Sequence, residues 1–391
     1  MIIGITYRLY SYIYNYLLHP VIRFRNSVIM KYTLSLILLC LLVFSNSNAQ
    51  IMSLSGKPIS KESMDRFLQH QLDSLKLPGL SIAFINEGKI VYADEFGFSD
   101  IETQAKVKSN TIFEAASMSK TVFAYFVLKL VDKGILNLDT PLFQYLKNND
   151  LAYDERYKLI TARMVLSHTA GMPNWREWDL ADPTLHIKKG DLYLKFTPGT
   201  GFSYSGEAYQ YLVNVVAHLL NKTPHELDSV FYDQVCKPLT MKHAYYWWND
   251  YIQKHRATGY KQKEGVNTKQ PVKKFEEFGA AGTLRINAVD YARFLIGLMN
   301  EKGLSKKSAA EMFKAQAKVP DWDDIDDWGL GIGMKKTDYG MRYMHSGDNG
   351  DFTAYFIMYK DQKSGFVFLT NCNRAGDLFE KLEPYFSKGT L

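Results

Sequence analysis

The chain is short of cysteine. Its 391 residues include three, with no Cys-x-x-Cys pair and no internal repeat. A disulfide framework needs more thiols than that, so the fold must rest on an apolar core. Long hydrophobic runs are scarce as well. Leu34–Phe44 spans eleven residues, short of the ~20 needed to cross a membrane as a helix. Three common catalytic signatures are missing. Gly-x-Ser-x-Gly, His-Glu-x-x-His and Gly-x-x-x-x-Gly-Lys do not occur, and the nine histidines show no zinc-ligand spacing. Their absence strikes off a nucleophile-elbow hydrolase, a zincin protease and a P-loop nucleotide site. Excess charge is scarce outside the N-terminus. Of the net +6, four positive charges (Arg8, Arg23, Arg25 and Lys31, with no acid) fall in residues 1–49. A near-neutral body gives no electrostatic case for nucleic acid as a partner.

What is present begins with an address. Positive residues precede Leu34–Phe44, and Ser47-Asn-Ala49 puts small side chains at −3 and −1 of a cleavage site before Gln50. That order is the one a secretory signal peptide uses. Met30 reads as the true start, residues 1–29 as an upstream extension, and 50–391 as the exported domain, periplasmic or secreted. The alternative is an uncleaved anchor, in which case the domain works at a membrane face. Leu39 before Cys40 argues against a lipoprotein site. Cys236 and Cys372 are left in the mature chain, either paired or as buried thiols.

Leu80–Ile85 and Lys89–Ala93 flank Asn86-Glu-Gly88 and read as a β-hairpin. Ser117–Gly134 carries Val122, Phe123, Phe126, Val127, Leu130 and Val131 on one stripe, which predicts a buried helix. From about 136 to 279 the pattern is helical and loop-rich, with a helix around Tyr209–Leu220. Ala288–Asn300 predicts another helix, and runs at 329–334, 342–345, 353–359 and 365–370 predict strands. The acidic run Asp321-Trp-Asp-Asp-Ile-Asp-Asp327 lacks the spacing of a calcium loop and reads as a solvated loop. The fold class is α/β (α+β): an antiparallel sheet flanked by helices, built from about 50–135 and 280–391, with an all-helical region, about 136–279, inserted between.

Ser117-Met-Ser-Lys120 is the only Ser-x-x-Lys in the chain. Residues three apart share a helix face, so the Lys120 amine can meet the Ser117 hydroxyl and take its proton if neutral, or steady the alkoxide if charged. The same tetrapeptide also suits a capping serine followed by a solvated lysine. Two more segments bear on the choice. Pro198-Gly-Thr-Gly-Phe-Ser-Tyr204-Ser-Gly206 presents a phenol before a helix, and a phenol near a cation can act as a base. His345-Ser-Gly347-Asp-Asn-Gly350 is a small-residue strand edge that lets a substrate backbone come close. Packing by Tyr204 and a structural role for His345 are the plainer readings of those two side chains.

In this order and spacing the three segments resemble the penicillin-binding-protein/serine β-lactamase superfamily, in its class C-like branch. Pro78-Gly-Leu-Ser-Ile-Ala83, Thr111–Thr121, Leu166-Ser-His-Thr-Ala-Gly-Met-Pro173, Lys237-Pro-Leu-Thr-Met-Lys242, Ala280-Ala-Gly-Thr-Leu284 and Gly365–Cys372 extend the likeness over nearly all of the mature chain. The resemblance implies a β-lactamase/transpeptidase-like fold and an exported serine hydrolase that works through an acyl-enzyme, with no metal and no cofactor. It implies Ser117 as nucleophile, Lys120 as its activating partner, and Tyr204 as proton shuttle to the leaving group. His345, Ser346, Gly347 and Asp348 would form the substrate-binding strand, and the N–H groups of Ser117 and Asp348 the oxyanion hole. Lys363-Ser-Gly365 has the letters of the family's Lys-Thr-Gly motif but falls in a hairpin turn.

Two departures weigh on substrate. Tyr204-Ser-Gly206 replaces Tyr-x-Asn, and His345 replaces a lysine, leaving an imidazole with an ordinary pKa of ~6.5 as a weaker anchor for a carboxylate. Both point away from an efficient β-lactamase. D-amino-acid peptides, small esters and β-lactams are the candidate substrates. The rival is a catalytically weak or inactive member that binds cell-wall peptide or a protein partner.

Overall fold

The computed structural model describes residues 50–177, 187–188, 190–322 and 324–390. The leader reading of residues 1–49 lies outside them. Strong β-formers in the two end segments build one nine-stranded antiparallel sheet. In chain order its strands are β1 (Gly79–Asn86), β2 (Lys89–Asp100), β3 (Ala105–Lys106), β4 (Ala317–Trp322), β5 (Ile325–Trp328), β6 (Gly333–Thr337), β7 (Gly340–Asp348), β8 (Thr353–Tyr359) and β9 (Ser364–Thr370). Their spatial order is β4-β5-β6-β7-β8-β9-β1-β2-β3, so the C-terminal meander joins the N-terminal hairpin through β9 and β1.

The central strands are apolar on both faces, which fixes a three-layer build. Ile82 and Phe84 point to one core and Ala83 and Ile85 to the other; Phe366 and Phe368 alternate with Val367 and Leu369 in the same way. On one face lie α1 (Lys61–Leu75), through Met64, Phe67, Leu68 and Leu72, and the C-terminal α5 (Ala375–Lys388), through Leu378, Leu382 and Phe386. The other face carries α2 (Ser119–Asp132), α3 (Gly206–Leu219) and α4 (Ala288–Met299) in the larger core.

Most expected elements are present, with four differences. Phe96–Asp100, without assignment from sequence, continues β2. The inserted region is not all helical: Tyr260–Lys263 and Val266–Lys269 form a hairpin, held where Gln262 donates to the Leu75 and Lys76 carbonyls. Residues 329–332 do not join a strand; β6 starts at Gly333. The acidic run is no solvated loop but the β4–β5 hairpin, because Trp322, Ile325 and Trp328 pack inward while several acids stay outside. Cys236 and Cys372 are both buried free thiols, so they do not pair. Among the described residues no helix is long and apolar enough to cross a membrane.

Candidate active site

The Ser117 segment is clamped before α2 begins. Phe113–Glu114 pairs with Arg285–Ile286 and runs into a 3₁₀ turn, Ala116–Met118. Ser117 therefore sits in that turn and not in the α-helix expected from the apolar stripe. Ala116 is left-handed, with φ +47°, a conformation that costs a residue with a Cβ and survives only where its surroundings enforce it. Here Ser119 enforces it: its hydroxyl donates to the Ala116 carbonyl and accepts from Leu284 N–H at 3.0 Å. Tyr291 and Tyr246 hydroxyls donate to the Met118 and Ser119 carbonyls at 2.9 and 2.6 Å. From Ala115 to Leu128 every residue is buried except Ser117. The turn thus leaves one hydroxyl partly accessible and seals everything around it.

Lys120 is 1 % exposed. Its Nζ lies 3.3 Å from Ser117 Oγ and donates to the Ala281 carbonyl at 2.8 Å. The same atom is 4.5 Å from the centre of the Tyr204 ring and 5.6 Å from that of Tyr209. Burial pulls the Lys120 amine down to about 7, since leaving water penalises the charged form. Near neutral pH a large share of the amine is therefore unprotonated. One N–H can still serve Ala281 while the lone pair faces Ser117, which is what a proton acceptor needs.

Tyr204 arrives from the inserted region and is placed by its neighbours. Ser203 N–H donates to the His168 carbonyl at 2.8 Å, and Ser205 N–H donates to His168 Nδ1 at 3.1 Å. The Ser205 hydroxyl donates to Pro173 O and caps α3 by accepting from Ala208 N–H. The half-buried Tyr204 ring packs 4.2 Å from His168 and 4.8 Å from Trp322, between ring centres. Gly206 is where the family's asparagine is missing, and the space is taken: a Cβ there would stand 2.5 Å from the Trp175 ring.

The strand edge closes the site. β6 pairs with β7 only as far as Met344, so His345–Asp348 has β8 on one side and the Ala116–Met118 turn on the other. A Cβ on Gly347 would lie 2.3 Å from the Ala115 carbonyl, so only glycine lets strand and turn touch. Ser346 is half-buried and Asp348 exposed. Beyond them Asn349 Nδ2 donates to Glu114 at 2.6 Å, tying the strand's end to the segment that precedes Ser117. His345 is 1 % exposed, with Nδ1 against the Ser346 carbonyl at 2.6 Å. Burial, and then the nearby Lys120 charge, push its imidazole down to about 3. That corrects the expectation of an ordinary imidazole: residue 345 is neutral throughout the physiological range. Lys363 lies at the far end of the sheet. Ser364 pairs with Tyr359, opposite Arg342, five residues along β7 from Gly347, or roughly 17 Å.

Ser117, Lys120, Tyr204 and His345 are thus gathered in one cluster, with Ser346, Gly347 and Asp348 along its edge. Sequence reasoning missed His168, Trp175, Trp322, Trp328 and the Ala281 carbonyl. His168 and Ala281 lie inside two segments that carry the family likeness. The tryptophans had no such signal; Trp322, set between aspartates, looks like loop.

A family model described as Beta-lactamase matches residues 64–385. "Protein flp" of Staphylococcus aureus (strain MW2) is 24 % identical over 327 residues, covering 80 % of this chain and 64 % of that protein. "Penicillin-binding protein 4*" of Bacillus subtilis (strain 168) is 23 % identical over 308 residues, covering 73 % and 66 %. The chain therefore spans somewhat under two thirds of those relatives. Among solved structures, the octameric penicillin-binding protein homologue from Pyrococcus abyssi aligns with TM-score 0.68 and 24 % identity, covering 79 % of this chain and 73 % of that one. A class C beta-lactamase aligns with TM-score 0.69 and 20 % identity, covering 85 % and 96 %. At these identities the structural likeness shows the fold.

Proposed function

The chain belongs to the Beta-lactamase family, whose fold is of serine-hydrolase type, and from that premise we propose that it hydrolyses D-amino-acid peptides, small esters or β-lactams through an acyl-enzyme on Ser117. The observation that carries this reading is the Lys120 amine, buried, held at about 7 and 3.3 Å from the half-buried Ser117 hydroxyl.

In the proposed reaction neutral Lys120 takes the Ser117 proton as Oγ attacks the substrate carbonyl. The oxyanion forms against the N–H groups of Ser117 and Asp348, each such donor typically worth ~10²–10³ in rate. Tyr204, its ring beside the Lys120 Nζ, relays the proton that Lys120 took from Ser117 to the leaving group, which leaves Lys120 neutral and Tyr204 protonated. The acyl-enzyme then breaks down by attack of water with the roles reversed. His345, neutral and enclosed, supplies shape at the strand edge and no fixed charge. That favours neutral esters and amides over substrates anchored by a carboxylate. Export, read from residues 1–49, completes the proposal, and N-terminal sequencing of the mature protein tests it.

A panel of activated esters, D-amino-acid amides and penicillins, run against wild type and Ser117→Ala, tests the reading. Turnover of at least one class, lost in Ser117→Ala, supports it. No turnover by folded wild type overturns it. The filled Gly206 position favours a second reading, a binding member of the family. For that one, Ser117→Ala retains peptide affinity while wild type shows no turnover.

A further inference from the structure

Behind Tyr204 lies a group of aromatic side chains that the proposed reaction does not use. His168, Trp328 and His345 are 0 %, 0 % and 1 % exposed. Each has a ring nitrogen sealed from solvent and without a partner among the described residues: His168 Nε2, Trp328 Nε1 and His345 Nε2. The rings are neighbours. His168 and Trp328 have centres 5.0 Å apart, and Trp328 and His345 5.3 Å. They come from three separate stretches of chain: the loop after Leu166, the end of β5, and β7. Interior polar groups are almost always satisfied, by protein or by ordered water. Three orphans side by side are unlike the usual stray exception.

The backbone partners fix the tautomers. Ser205 N–H donates to His168 Nδ1, so the neutral ring carries its proton on Nε2 and offers a donor there. The Ser346 carbonyl faces His345 Nδ1, so that nitrogen holds the proton and Nε2 offers a lone pair. Trp328 Nε1 can only donate. Protonation does not rescue either imidazole, because burial holds both well below their ordinary range and the Lys120 charge adds to the effect. Two donors and one acceptor remain. One water molecule accepts two hydrogen bonds and donates one, and a buried water typically makes about three.

We propose that the interior behind Tyr204 holds one bound water molecule, hydrogen-bonded to His168, Trp328 and His345, and that this water makes the three rings a rigid seat for Tyr204. The Tyr204 ring lies over the group, with its centre 4.2 Å from His168, 5.9 Å from Trp328 and 6.1 Å from His345. His168, Trp328 and His345 are positioning residues here. By keeping both imidazoles neutral and fixed they hold the phenol against Lys120. Its catalytic consequence rests on the hydrolase reading, whereas the water site does not.

The test has two arms. In the first, a crystal structure of the wild-type protein at ~1.5 Å is expected to show one ordered water 2.7–3.2 Å from all three nitrogens. An empty space there, or a direct Trp328 Nε1–His345 Nε2 bond, overturns the site. In the second, Trp328→Phe keeps an aromatic ring but removes one donor. It is expected to lower kcat on an activated aryl ester between about ten- and a hundredfold, as small misplacements of a catalytic group do, with KM within about twofold. Unchanged kcat in a folded variant overturns the positioning role. If the variant does not fold, the wild-type density still decides the site. The water present without any Ser117 adduct upholds the site and defeats the hydrolase reading; an adduct without the water does the reverse.

Discussion

The Trp175 indole occupies the space where a side chain on residue 206 would start: a Cβ on Gly206 would fall 2.5 Å from its ring. The family's asparagine is thus not simply lost from an otherwise unchanged pocket. An indole from the inserted region has taken its room, while Lys120 donates to the Ala281 carbonyl.

Restoring the asparagine alone is therefore expected to do harm. Gly206→Asn overpacks the start of α3, at a cost of about 1–3 kcal/mol, against a gain of well under 1 kcal/mol from helix propensity. Combining it with Trp175→Ala relieves the overlap, so the double variant loses less than the two single losses added together. Thermal unfolding of the four proteins of this double-mutant cycle measures the coupling; strict additivity contradicts the packing described.

The Lys120 amine sets a pH profile. If the unprotonated form takes the serine proton, kcat/KM on a non-ionising ester rises with pH through about 7 and levels off above it. A Lys120→Arg variant, permanently charged, loses both the activity and the inflection. A flat wild-type profile from pH 5 to 9 contradicts the assignment.

The same burial destabilises the fold. The Lys120 pKa is depressed from 10.5 to about 7, so between those values the unfolded chain binds more protons than the folded one, and stability rises with pH across that window. Lys120→Met removes the penalty and is expected to stabilise the protein by up to about 5 kcal/mol at pH 7 and below. The gain shrinks towards zero as the pH approaches 10.5. Denaturant melts at pH 6.5 and 10 check this; a gain that grows with pH contradicts it.

Gly347 is held to glycine by backbone, not by a movable side chain. Gly347→Ala must push β7 away from the Ala115 carbonyl, 2.3 Å from the new Cβ. Activity is expected to fall at least a hundredfold, by kcat more than by KM, because in the proposed reaction the strand carries the second oxyanion donor. Steady-state kinetics on one ester checks it; wild-type kcat contradicts it.

Much of this was legible in local spacing. Ser117 and Lys120 stand three residues apart, and the stripe from Val122 to Val131 marks the helix that follows. The end-to-end sheet was legible from short apolar runs on both sides of a helix-rich middle. The burial of Lys120 was not, because the groups that enclose it (Ala281, Tyr204 and Tyr209) lie more than eighty residues away and meet it only in the fold. The β4–β5 hairpin was hidden by its aspartates, since local charge says solvent while Trp322 and Trp328 say core. The neutrality of His345 likewise depends on its enclosure and on Lys120, and neither is written beside it in the chain.

Acylation of Ser117 is the measurement that reaches the centre of the account. Folded protein is incubated with an activated aryl ester or a fluorescent penicillin, quenched in acid, and mapped by peptide mass. One acyl increment is expected on the peptide holding Ser117, forming faster as the pH rises through about 7 and absent from Ser117→Ala. No increment with any acyl donor, or an increment on a residue other than Ser117, contradicts it.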